Sequence, residues 1–338
     1  MTITAAEATT TGGKVMNFAK AVHDALDVAL ETDPTVFLLG EDIADPGGNV
    51  FHITQGLSTK YGTDRVRNTP ISEQAIIGTA IGAAMTGFRP VAEIMMMNFM
   101  TVCMDQITNH AAKLRYMSGG QTTVPLVIRT ATGAGFQFGA QHSDMLESWL
   151  AHVPGLKVVV PSTAADAKGL LLSCIADDDP CIFVEQSFHY FRVSDHVPSG
   201  DVRVPLGKAS IARPGSDLTL ISYGRQANEA RALAEDLAAE GVDIEIVDLR
   251  TISPLDFDTV LESVGRTKRA VIVHEAVRRH GVGAEIAATI NEELFGELLA
   301  PVRRVGGANT PVPYAKSLED EYMASPDRVA SAIRSVLK

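Results

Sequence analysis

Between residues 218 and 295, apolar runs and amphipathic stretches alternate at a spacing that few folds accommodate. The run LTLISYG (218–224) precedes a helical pattern over 226–240 in which Ala230, Leu233, Ala234 and Leu237 share one face. Gly241 stops that helix, and DIEIVDL (243–249) follows as a strand. A helix over 255–264, the strand RAVIVHE (269–275) and a helix over 282–295 continue the series. Apolar strands joined by helices of this length imply a parallel sheet covered on both faces, because a parallel pair needs a crossover and the helix provides it.

The N-terminal part repeats the theme over a longer span. The pattern predicts helices over 17–31, near 52–61, and over 71–87, 100–117 and 164–176. Strands are expected at TVFLLGE (35–41), RVRN (65–68), VAEIM (91–95), PLVIR (125–129), KVVVP (157–161) and CIFVEQ (181–186). A glycine-rich loop occupies 133–139, and 187–206, with Pro198, Gly200 and Pro205, has no sustained period. The expected organisation is a flexible N-terminus over 1–13, a first domain over 14–190, a linker over 191–206 and a second domain over 207–338. The fold class is α/β with two doubly wound domains.

Apolar residues make up 46% of the chain, enough for two cores without disulfides or a structural metal. The net charge of −12 repels phosphate backbones and anionic lipid, which argues against nucleic acid and membranes and favours a basic protein partner. Cys103, Cys174 and Cys181 follow neither a disulfide framework nor zinc spacing. The most apolar region, 76–88, is interrupted by Gly78, Gly82 and Gly87, short of a spanning helix. A soluble, cytoplasmic protein is expected.

On local signals, TPISEQAIIGTAIGAAMTG (69–87) reads as a capped helix, with Thr69 or Ser72 as cap, Pro70 early and Glu73 in the first turn. Gly78 and Gly82 give it a smooth face suited to close packing, within the domain or across a subunit interface. GAGFQFGAQHSD (133–144) has GxGxxxG spacing, wrong for a dinucleotide fingerprint, and HGVGAEIA (280–287) lacks the third glycine. His142 and His274, taken singly, are ordinary structural histidines.

The ordered set of motifs is more specific than its members. GED (40–42), TPISEQ (69–74), RPVAEIM (89–95), DQITNHAAKLRYMSGG (105–120), AQHSD (140–144) and PGLKVVVPS (154–162) occur in that order. DAKGLLLSCI (166–175), DPCIFVE (179–185), LRTISPLD (249–256) and PYAKSLED (313–320) follow. From about residue 14 to the end, the chain resembles the β subunit of the thiamine-diphosphate-dependent decarboxylating component of 2-oxo acid dehydrogenase complexes. Its GAGF loop and HEAVRRHGVGAEIAA segment look most like the acetoin branch.

The resemblance implies a transketolase-like pyrimidine-binding domain followed by a transketolase C-terminal-like domain. It implies that Glu73 hydrogen-bonds a ring nitrogen of the aminopyrimidine and drives the tautomer that takes up the thiazolium proton. Phe99 matches the aromatic that packs on the pyrimidine, Ile71 and Glu41 border the pocket, and Met95 stands where branched-chain members carry a glutamine. His142 matches the histidine facing the reacting centre and the incoming lipoyl group, suited to proton transfer or oxyanion stabilisation. Some relatives hold potassium in the region of Cys174, Asp177 and Asp179; a solvated acidic turn is the other reading.

Members of this family hold magnesium and the diphosphate through a GDG…N motif, which this sequence lacks. The resemblance therefore implies an α subunit that carries it, in a heterotetramer of two α and two β subunits, with a lipoyl-bearing acyltransferase as acceptor. The competing readings are a two-component carboligase without a lipoyl partner, a nicotinamide-dependent dehydrogenase, for which no strand–GxGxxG–helix unit exists, and a non-catalytic scaffold.

Overall fold

A computed structural model describes residues 12–338, so the expected flexible N-terminus lies almost wholly outside the described residues. Two compact units emerge: residues up to Thr132 with Trp149–Leu206, and Gly133–Ser148 with Gly207–Lys338. The segment Gly133–Ser148 thus packs with the second unit although the chain on both sides of it belongs to the first.

Six strands of the first unit run parallel in the order Lys157–Val159, Cys181–Gln186, Val127–Thr132, Arg89–Met96, Val36–Gly40, Val66–Asn68. Val127–Thr132 and Cys181–Gln186 are buried at every position, as strands covered on both faces must be. Helices Phe18–Thr32 and Ala164–Ala176 supply much of the cover, with Leu26, Leu30, Leu170 and Leu171 in one core with Phe183. Asn17 and Thr163 cap them by accepting the N–H of Lys20 and Asp166.

Two departures from the sequence pattern have local causes. The expected helix over 100–117 breaks into a 3-10 segment Met97–Cys103, a π-helical turn Gln106–Ala111 and a short α-helix Leu114–Met117. The hydroxyls of Thr101 and Thr108 bond back to the carbonyls of Asn98 and Met104, a contact that loosens helical geometry. The aperiodic 187–206 stretch contains a strand, Ser194–Pro198, paired antiparallel with Gly13–Asn17. Each of these strands buries a single residue, Val197 or Met16, too little to produce a visible alternation.

The second unit carries a five-stranded sheet in the order Arg303–Gly307, Ala270–Val277, Leu218–Ser222, Ile244–Asp248, Ser210–Arg213, parallel except for the last pair. Helices Gly224–Ala238 and Pro326–Leu337 place Ala230, Ala234, Leu237, Ile333 and Val336 on its core. Among the described residues, no helix is long and apolar enough to cross a membrane.

Candidate active site

Three adjacent parallel strands of the first unit, Val36–Gly40, Val66–Asn68 and Arg89–Met96, end on the same edge of the sheet. Ligands of open α/β sheets gather at such carboxyl ends. Glu41 follows the first strand, Ile71 and Glu73 follow the second, and Met95 and Phe99 close the third. The Thr69 N–H donates to the Gly40 carbonyl at 2.9 Å, tying the 69–73 turn to the neighbouring strand end. Gly40 leaves room for this approach, since a Cβ would stand 3.0 Å from the Cβ of Glu93, tighter than ordinary packing.

Glu73 opens the helix Glu73–Met85, and Ser72 makes no side-chain capping bond ahead of it. Burial first, then the charges of Glu73, Asp42 and Glu93, push the Glu41 carboxyl above its ordinary range. Burial and the Glu73 charge also push the Cys103 thiol up to about 12. Glu73 is therefore within electrostatic reach of both Glu41 and the segment that carries Phe99. Phe99 and Met95 are half-buried against the apolar core, whereas Ile71 is 83% exposed.

Beside this group lies a buried ionic network that the motifs did not reveal. Arg129 grips Glu185 with Nε and Nη2 at 2.6 and 2.9 Å and reaches Glu93 with Nη1 at 2.9 Å. Asn49 donates to both Glu93 oxygens at 2.9 Å, and the Tyr190 hydroxyl donates to Glu185 at 2.8 Å. Burial raises the Glu93 carboxyl, with Arg129 opposing it. Charged residues inside the apolar strands VAEIM, PLVIR and CIFVE were the available signal, since such positions persist only when paired.

His142 is half-buried in the second unit, and its backbone N–H donates to the Gly139 carbonyl at 3.3 Å. His274 has a different role. Burial drops its pKa to about 4, and its Nδ1 lies 3.0 Å from the Ala276 carbonyl. A Cβ on Gly281 or Gly283 would come within 2.6 or 2.9 Å of its ring, so the GxG of 281–283 makes room for an imidazole.

At the candidate potassium position, protein cations meet the acidic turn. The Asp177 carboxylate holds Lys157 Nζ with both oxygens at 2.6 Å, and Asp179 takes Arg115 Nη1 at 2.6 Å. The Cys174 carbonyl accepts the Asp177 N–H at 3.3 Å. Among the described residues, no group of three or more His, Cys, Asp or Glu is arranged to hold a metal.

Gly78 and Gly82 face open space, with nothing within 4 Å of a built Cβ, so packing within this chain does not require them. A groove of ≈ 570 Å3 runs along the same helix, lined by Phe37, Phe88, Ala75, Thr79 and Ala83 among others. The donor set at the strand ends suits the pyrimidine half of thiamine diphosphate: a carboxylate for a ring nitrogen, a second carboxyl beside it, and an apolar wall of Met95 and Phe99. It does not suit a diphosphate, because Glu41, Asp42, Glu73 and Glu93 would repel one.

Residues 14–190 match the family described as transketolase, pyrimidine binding domain, and residues 207–329 match transketolase, C-terminal domain. A Cupriavidus necator protein named acetoin:2,6-dichlorophenolindophenol oxidoreductase subunit beta is 47% identical over 327 residues, covering 94% of this chain and 96% of its own length. The Bacillus subtilis protein of the same name is 41% identical, covering 96% and 98%. A Rhizobium meliloti pyruvate dehydrogenase E1 component subunit beta is 43% identical, covering 95% and 70%. A solved split-gene transketolase, described as an inactive β4 tetramer, superposes with a TM-score of 0.75 at 21% identity, covering 96% of this chain and 99% of its own; it shares the fold.

Proposed function

The chain belongs to the family of β subunits of thiamine-diphosphate-dependent 2-oxo acid and acetoin dehydrogenase components, and on that premise we propose that it supplies the pyrimidine half of an active site completed by an α subunit. The observation that carries this reading is that Glu41, Met95 and Phe99 stand at the ends of adjacent strands, with Glu73 within charge reach of Glu41, in a sequence without the GDG…N diphosphate motif. The α subunit would hold magnesium and the diphosphate.

Thiamine diphosphate, when bound, supplies the carbanion-stabilising chemistry. Glu73 would hold a ring nitrogen through a charge-assisted hydrogen bond, strengthened by the half-buried setting. Phe99 and Met95 would wall the ring and exclude water, with Ile71 and Glu41 bordering it. His142 would hold and release a proton for the acceptor, a lipoyl group on an acyltransferase component. The exposed Gly78 and Gly82 face of the helix would lie against a partner subunit. The cytosol is the expected compartment.

Acetoin is the first substrate to test, as the relatives' names suggest, followed by pyruvate and branched 2-oxo acids. The experiment is co-expression with an α chain carrying GDG…N, then dichlorophenolindophenol reduction and acylation of a lipoyl domain. Turnover in both assays supports the proposal. Dye reduction without lipoyl acylation would favour the carboligase reading, and no turnover with any substrate would contradict catalysis.

A further inference from the structure

The backbone from Gly133 to Gly139 has an unusual conformation. Every second residue carries a positive φ: Gly133 (+107°), Gly135 (+112°), Gln137 (+59°) and Gly139 (+74°). The N–H groups of two alternate residues, Gly135 and Gln137, turn to one side, an arrangement of backbone donors suited to an anion. Phe136 and Phe138, two of the three intervening residues, stack with ring centroids 5.4 Å apart. Gln137 is the residue for which this geometry is strained, and such strain persists only where the surroundings enforce it.

A carboxylate of the chain itself takes these donors. Glu319 Oε1 accepts the N–H of Gly135 at 2.8 Å and of Gln137 at 3.1 Å. Glu275 Oε1 accepts the N–H of Ala134 at 2.6 Å, and Arg225 Nη1 donates to the Ala134 carbonyl at 2.9 Å. Arg225 is fixed in turn by Glu229 at 2.6 Å. All three gripping side chains are buried, as is Ala134, which packs with Val312 and Tyr322. At the far end of the segment the Tyr223 hydroxyl donates to buried Glu147 at 2.6 Å. His142 stands midway between Gln137 and Glu147, the two anchored ends.

We propose that Glu319 is the positioning residue for His142, acting with Glu275 and Arg225 by capturing the backbone of 134–137. The inference deepens the proposed function and rests on its assignment of His142 to acceptor chemistry. Nothing about core packing requires a buried carboxylate to bind two loop amides. A histidine that must meet an incoming acceptor gains from a loop whose conformation is fixed beforehand. Glu319 touches no reacting atom and acts through the loop.

The test uses the enzyme assembled with its α subunit and compares Glu319→Ala, Glu319→Gln and His142→Ala. Hydrogen exchange at the Gly135 and Gln137 amides should rise about tenfold or more in Glu319→Ala, while the strand Leu218–Ser222 stays protected. The ratio of lipoyl-domain acylation to dye reduction should fall about fivefold or more in the same variant. Glu319→Gln, whose neutral oxygen can still accept both N–H groups, should recover most of both. Unchanged exchange in Glu319→Ala overturns the proposal. So does faster exchange with an unchanged ratio when His142→Ala lowers it. If His142→Ala also leaves the ratio unchanged, the role given to His142 fails, and the positioning of a catalytic histidine fails with it.

Discussion

Glu41 and Glu73 stand close enough that the charge of one, after burial, helps hold the carboxyl of the other above its ordinary range. A carboxyl raised by burial and by a neighbouring carboxylate at a strand end marks a candidate binding site. The pairing of Glu41 with Glu73 links the end of Val36–Gly40 to the start of the helix Glu73–Met85, elements whose connection is not visible in either motif alone.

Glu73→Gln should therefore reduce turnover by about a hundredfold or more while leaving assembly with the α subunit intact. Removing the Glu73 charge should also lower the Glu41 pKa toward the ordinary carboxylate range. Steady-state kinetics and size-exclusion chromatography check the first outcome, and carboxyl titration by NMR checks the second. Near-normal turnover would remove Glu73 from the mechanism.

His142→Ala should spare decarboxylation, followed with the dye, more than acylation of a lipoyl domain. Single-turnover measurements of the two half-reactions make the comparison. Equal loss of both, or of neither, would contradict the division of labour.

Glu275 gives a pH prediction. Burial pushes its carboxyl from 4.5 to about 7, opposed by Arg225 and the Ala134 N–H, with Glu229 and Glu147 adding to the rise. The folded chain thus keeps a proton that the unfolded chain releases, so stability should fall as pH rises from about 4.5 through about 7. Glu275→Gln should flatten that part of the curve, by at most about 3 kcal/mol. Urea denaturation at a series of pH values measures it, and a variant curve parallel to wild type would refute the assignment.

Arg129→Ala should destabilise the first unit by about 3–5 kcal/mol, because it strands Glu93 and Glu185 as buried carboxylates. A shift in the denaturant midpoint at constant slope would confirm it. A change under about 1 kcal/mol would mean that water reaches the network.

The alternation of apolar runs and helices was legible because doubly covered parallel strands need continuous apolar sequence, and CIFVEQ and LTLISYG provide it. The strand pair Gly13–Asn17 and Ser194–Pro198 was hidden because its burial is one residue per strand. Glu73 and His142 were singled out by motif context, since a helix-start glutamate and a lone histidine look ordinary alone. The grip on the 134–137 backbone was not readable at all. Its partners, Ala134 with Glu275 and Gly135 with Glu319, are 141 and 184 residues apart, and only the folded sheet brings them together.

The central claim is that this chain holds one half of a cofactor site. Calorimetric titration of thiamine diphosphate with magnesium, on the chain alone and then on the chain assembled with an α subunit carrying GDG…N, tests it directly. The account predicts binding only in the assembly; tight binding by the chain alone would contradict it.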